Sequence, residues 1–191
     1  MSALAELTVA ELVEALGAKE PVPGGGAAAG AVAAIGMGLA RMVLAYTIDK
    51  PKFAKHASAN NSDYQTLGDL AEHALSLADA DAEAYAALNA LWKLPEGDDQ
   101  RETQWEDVVE AAIEAPMRTI EACLDALERC DAMRDRTNAM LRSDLNGAVN
   151  LLVAAQLTAA ENVLVNLPSV RDEDRRAEIQ AAMDAMLPEG V

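Results

Sequence analysis

The chain has 191 residues, with 32 acidic and 15 basic side chains, a formal net charge of -17, forty-one alanines and an aromatic fraction of only 3%. The acidic balance opposes a nucleic-acid partner, which needs a basic footprint, and a hydrophobic fraction of 51% is too high for a disordered acidic tail. Few aromatic and β-branched residues argue against a sandwich or barrel, whereas alanine, leucine and glutamate favour helix, so one all-α domain is expected over residues 1–191.

Thr8-Val9-Ala10-Glu11 reads as a capping box that opens the first helix, and Gly17 suits its end. Prolines and glycines from Glu20 to Gly26 break the chain before a second helix over about residues 26–48. Gly30, Gly36 and Gly38 weaken that helix by about 1 kcal/mol each against alanine, so close packing must offset them. Its low amphipathicity predicts a central, buried helix in a multi-helix bundle. A break over 49–62 precedes a third helix over about 63–93. Its stripe is Leu67, Leu70, Ala74, Leu77, Tyr85, Leu88 and Trp92, with Asp81 in the register of the stripe and Asp79 and Glu83 facing water. Thr103 and Glu106 form a possible capping box for a fourth helix, which Pro116 kinks or restarts before it reaches about Arg136. Ser143 is the expected cap of a helix running to Leu167, where Pro168 stops it, and a short charged helix follows from Asp172 to Leu187.

The N-terminus lacks the basic segment of a secretory signal. The uncharged run 27–40 has fourteen residues before Arg41, a helix of about 21 Å against a hydrocarbon core of about 30 Å. Cys123 and Cys130 share a helical face but stand about 10 Å apart, too far to bridge. A soluble, cytoplasmic protein with no membrane or nucleic-acid partner is expected.

Four features carry candidate chemistry. Gly24-Gly25-Gly26 enters a helix N-terminus whose amides could hold an anion or a polarised oxygen, and the same cluster suits a purely structural turn. Asp81 is a carboxylate in an apolar stripe, a costly position unless it is hydrogen-bonded, paired or hydrated. It fits either a core-edge contact to a helix terminus or a catalytic group. Lys50, Lys52 and Lys55, three of the five lysines, form a basic island in an acidic chain, either a solvated connector or a holder of small anions. The segment from Ser143 carries Asp144, Asn146, Asn150, Gln156, Asn162 and Asn166, which suggests an amide-lined cleft or a polar subunit seam. Two histidines and two cysteines without ligand spacing give no expectation of a metal site.

Three segments taken together resemble the cyclodeaminase/cyclohydrolase family of folate enzymes. They are Pro21-Val22-Pro23-Gly24-Gly25-Gly26-Ala27 with Tyr46 to Phe53 after the alanine/glycine helix, then Asp79 to Tyr85 with Lys93-Leu94-Pro95, then Ser143-Asp144 leading to Glu161 through Leu167. The resemblance spans about residues 6–187. It implies an all-helical homodimer that binds a one-carbon tetrahydrofolate without a prosthetic group. On that basis Asp81 or Asp144 is the carboxylate beside the one-carbon unit. Asn150 and Asn162 orient the pterin or the attacking water, Gly24, Gly25 and Gly26 shape the pocket, and Lys50, Lys52 or Lys55 meets the folate glutamate tail. Two departures stand out: the family often has glycine where this chain has Asp49, and often near Ala159 or Ala160. The length of the chain leaves no room for a formiminotransferase domain, so methenyltetrahydrofolate cyclohydrolase is the first expectation. Formiminotetrahydrofolate cyclodeaminase is the alternative, and a non-catalytic folate-binding or structural homodimer is the third reading.

Overall fold

The structure, a computed structural model, describes residues 3–188. Its regular elements among these residues are all helical: α1 (Val9–Gly17), α2 (Gly25–Ala45), α3 (Ala57–Trp92), α4 (Asp99–Met133), α5 (Arg142–Asn166) and α6 (Glu173–Met186), with short 3-10 turns between some of them. The capping box at Thr8 is present, with both halves formed.

Small residues explain why α2 is the central helix. A Cβ on Gly30 would stand 2.6 Å from the Ala74 carbonyl oxygen, and one on Gly36 would stand 3.0 Å from the Leu152 side chain. Glycine at these positions lets the α3 and α5 backbones approach closely, and that packing offsets the low helix propensity. The contacts also fix direction. Gly26 meets Asp81, Gly30 meets Ala74 and Ala78, and Gly68 meets Arg41, so α2 and α3 run antiparallel. Gly25 meets Asn162 and Gly36 meets Leu152, so α2 and α5 run antiparallel as well. Arg129 of α4 reaches Asp63, and Asn166 of α5 reaches Ala112 of α4, which close the square. The result is an up-down-up-down bundle of α2, α3, α4 and α5, a topology that short connections favour.

The core divides along the bundle. Met37, Val43, Leu44, Leu67, Met133 and Leu152 fill one half. Leu88, Trp105, Ile113, Ile120, Val163 and Met183 fill the other, where α6 docks on α4. Two stretches are long and apolar enough to cross a membrane by length and composition, Gly25–Ala45 at a mean hydropathy of 1.7 and Ala139–Ser169 at 1.5. In the fold α2 packs against both α3 and α5, with 56% of its apolar window buried, and that packing accounts for much of its apolar sequence. The helix outlasts the fourteen-residue run because Arg41 lies inside it, its guanidinium 4.2 Å from the centre of the Tyr64 ring.

Several boundaries differ from expectation. α3 begins at Ala57, since Pro51–His56 forms a 3-10 turn that feeds straight into it. α4 begins at Asp99, capped by Asp98, whose carboxylate accepts from the Gln100 and Arg101 amides. Thr103 is already inside the helix, where its hydroxyl donates to the Asp99 carbonyl. The helix also continues through Pro116 to Met133. α5 is entered through a 3-10 turn capped by Asn138, so Ser143 is not its cap. Asp49 sits at φ 66, the left-handed region in which glycine is at ease and aspartate is tolerated. Cys123 and Cys130 are free and buried, and burial pushes their thiols up to about 12 and about 11.

Candidate active site

One end of the bundle gathers the start of α2 and the ends of α3 and α5. Gly24 caps α2 with no side chain to satisfy the first-turn amides. Asp81 of α3 supplies the acceptor instead, taking a hydrogen bond from the Ala27 amide. The carboxylate lies so close to Gly26 that any Cβ there would overlap it. The glycine cluster therefore has a definite purpose at its third residue: it admits a carboxylate from a neighbouring helix to the positive end of α2.

Asp81 is 9% exposed. Burial raises its pKa from 3.8 to about 6, opposed by the Ala27 hydrogen bond, and no neighbouring charge contributes. A carboxyl that titrates near neutrality can both accept and return a proton under cellular conditions.

A cavity of about 250 Å³ opens beside it. Gly24, Gly25, Asp81 and Asn162, four of the residues expected in a site, line this cavity together. Asn162 is held by its own helix, its Nδ2 donating to the Thr158 carbonyl at 2.7 Å. Tyr85 and Trp92 form an aromatic wall, their rings edge-to-face at a centroid distance of 6.1 Å. Those two rings belong to the apolar stripe of α3, and their period reads as core until the cavity is seen. Asn166 also lines the space, and its spacing of one turn from Asn162 was the available cue.

The other expected residues lie elsewhere. Asp144 is in the first turn of α5, and eighteen residues of helix carry it about 27 Å from Asn162. Asn150 is exposed and about 18 Å from Asn162 along the same helix. Lys50, Lys52 and Lys55 follow the far end of α2, about 30 Å from Gly26 along the bundle. Lys50 lines a separate cavity with Thr47, Phe53 and Asn60. Asp144 and the three lysines thus lie at the opposite end of the bundle from Asp81 and do not share its cavity within one chain. Asp79 does not simply face water: its Oδ1 accepts from the Leu4 amide at 2.7 Å and fastens the N-terminal segment across α3, while Glu83 is exposed. Among the described residues no group of three or more His, Cys, Asp or Glu side chains could hold a metal ion.

Fold and site define a helical-bundle protein with a buried carboxyl of raised pKa beside a small, aromatic-walled cavity at one end. The family described as Formiminotransferase-cyclodeaminase matches residues 8–185, and the chain belongs to it. It is similar to the formimidoyltransferase-cyclodeaminase of Rattus norvegicus, at 28% identity over 97% of this chain and 35% of that protein. The chain thus spans about a third of the length of such relatives. A methenyltetrahydrofolate cyclohydrolase of Methylorubrum extorquens is 25% identical over 92% of this chain and 88% of its own. The crystal structure of formiminotetrahydrofolate cyclodeaminase from Thermotoga maritima shares the fold, with a TM-score of 0.88 at 24% identity over 95% of this chain and 89% of that one.

Proposed function

We propose that the protein hydrolyses 5,10-methenyltetrahydrofolate to 10-formyltetrahydrofolate. The observation that carries this reading is the Asp81 carboxyl, buried, unpaired by any cation among the described residues and raised to about 6 beside an aromatic-walled cavity. The substrate presents a cationic amidinium between N5 and N10. An ionised Asp81 stabilises that charge in a low-dielectric setting. As water adds to the methenyl carbon, Asp81 accepts its proton. The carbon–N5 bond of the adduct then breaks as Asp81 returns its proton to N5, the hydroxyl gives up its remaining proton to solvent as it becomes the formyl carbonyl, and the formyl group remains on N10, with one proton released overall. Tyr85 and Trp92 offer a flat apolar surface to the heterocycle, and Asn162 an amide to orient it.

The similarity to the cyclohydrolase of Methylorubrum extorquens over most of both chains supports this order of preference. Cyclodeamination of 5-formiminotetrahydrofolate is the second reading, favoured by the 28% identity to the Rattus norvegicus protein. One pair of assays separates the two. Loss of methenyl absorbance above the spontaneous rate supports hydrolysis, whereas ammonia release from the formimino substrate without such hydrolysis replaces it with cyclodeamination. Activity on neither substrate overturns both.

A homodimer through α2 accompanies this proposal. Ile35 and Tyr46 are 54% and 59% exposed at helical spacing on its outer face, and Gly38 beside them has open space where a Cβ would stand. Sedimentation as a 20.1 kDa species at micromolar concentration would overturn it.

A further inference from the structure

Asn166 closes α5 inside the cavity wall, 4% exposed. Its Nδ2 donates to the Ala112 carbonyl of α4 at 2.9 Å. In an ordinary helix that carbonyl would accept from the amide four residues on, but position 116 is proline and has no N–H to give. Pro116 therefore frees a carbonyl and Asn166 occupies it. The geometry also decides which way the amide points. A carbonyl oxygen only accepts, so the Nδ2 end must face Ala112 and the Oδ1 end must face away. That Oδ1 is buried and has no hydrogen-bond partner among the described residues. Asn166 lines the cavity, so a small shift of its side chain on ligand binding presents this oxygen there, and a missing ligand is one explanation for a buried polar atom without a partner.

We infer that Asn166 is a specificity-determining residue whose Oδ1 accepts an N–H from the heterocycle of the ligand. This inference rests on the folate reading above and deepens it. The ligand chemistry required is a donor edge, and a 2-amino-4-oxopteridine has one in its 2-amino group and adjacent N3–H. On the same cavity Asp81 is a further acceptor, so the site suits a donor-bearing ring. Pro116 is a positioning residue in this arrangement, since it acts only by keeping the Ala112 carbonyl open for Asn166.

The test compares calorimetric binding of 5-formyltetrahydrofolate with that of its 2-desamino analogue. Wild-type protein is expected to prefer the parent compound by at least about tenfold, because a site built to hydrogen-bond a group rejects the analogue that lacks it. Asn166→Leu, checked for fold by circular dichroism, is expected to bind both alike. Pro116→Ala restores the amide that competes for the Ala112 carbonyl, and alanine is the better helix former, so this variant keeps its fold. Its preference is expected to fall between the other two. A folded Asn166→Leu that retains the wild-type preference overturns the role of Asn166, and a Pro116→Ala that retains it in full overturns the role of Pro116. Wild-type protein that binds neither compound overturns the folate reading itself and this inference with it.

Discussion

Two buried aspartates on α3 sit at opposite ends of the same bundle and live under opposite rules. Asp63, 7% exposed, is held by two arginines of the α4 side: Arg129 at 2.8 Å and Arg136 through its Nη2. Asn60 completes the group by accepting from Arg136 and donating to its carbonyl. Asp81, nearly as buried, has a backbone amide and no cation. The first carboxylate is neutralised and fixes the register of α3 on α4. The second carries a desolvation cost that the Ala27 amide offsets only in part, a setting that suits the proton transfer proposed above. Burial of a charge is therefore uninformative here until its partners are counted.

Substitution separates the two ends. Asp81→Asn keeps an acceptor for the Ala27 amide but removes the base, and the turnover of the productive substrate is expected to fall about 10²- to 10⁴-fold, measured as kcat. Normal turnover in that variant would strip Asp81 of its role. Asp63→Asn leaves two arginines poorly compensated. It is expected to lower unfolding free energy by about 3 kcal/mol in urea titrations while kcat of the folded fraction stays near wild type. A large kcat defect there would erase the contrast between the ends.

The pH dependence sharpens the same comparison. Because folding raises the Asp81 pKa from 3.8 to about 6, the native state binds more protons than the unfolded state between those values. The contribution of Asp81 to stability is present below about pH 4 and is lost as pH rises through about 6, a change of about 3 kcal/mol. Asp81→Asn should gain on wild type by that amount between pH 4 and pH 7, and a pH-independent difference would refute the shift. In the reaction, kcat/KM should rise through an apparent pKa near 6 as the base ionises. The smallest expected effect is at Asp49, where Asp49→Gly relieves a left-handed residue and should raise stability by at most about 1 kcal/mol, since glycine also gains freedom in the unfolded chain.

Much of the fold was legible because helical period, caps and breakers are local signals. Asp81 was legible for the same reason, as the one charged residue in register with an apolar stripe. The misplacements are long-range. Residue order says that Lys50 follows the glycine-rich helix but not that 21 residues of α2 hold it away from Gly26. Thr103 and Ser143 fit capping patterns, yet Asp98 and the 3-10 turn after Asn138 start those helices earlier, because a helix extends until its amides find their first acceptor. Asn166 was visible as an asparagine one turn beyond Asn162. Its meaning depended on a proline fifty residues earlier on another helix, which no local pattern joins to it.

The antiparallel passage of α2 between its neighbours has a consequence for how this protein can change. Groups separated by most of the length of that helix share no contacts, and distant sites contribute to stability almost additively. The Asp63 cluster is thus a reserve of stability that can be enlarged or drawn down without touching the chemistry. Substitutions that reshape the Asp81 cavity can be compensated from the far end, which lets substrate preference drift among relatives while the bundle itself stays the same.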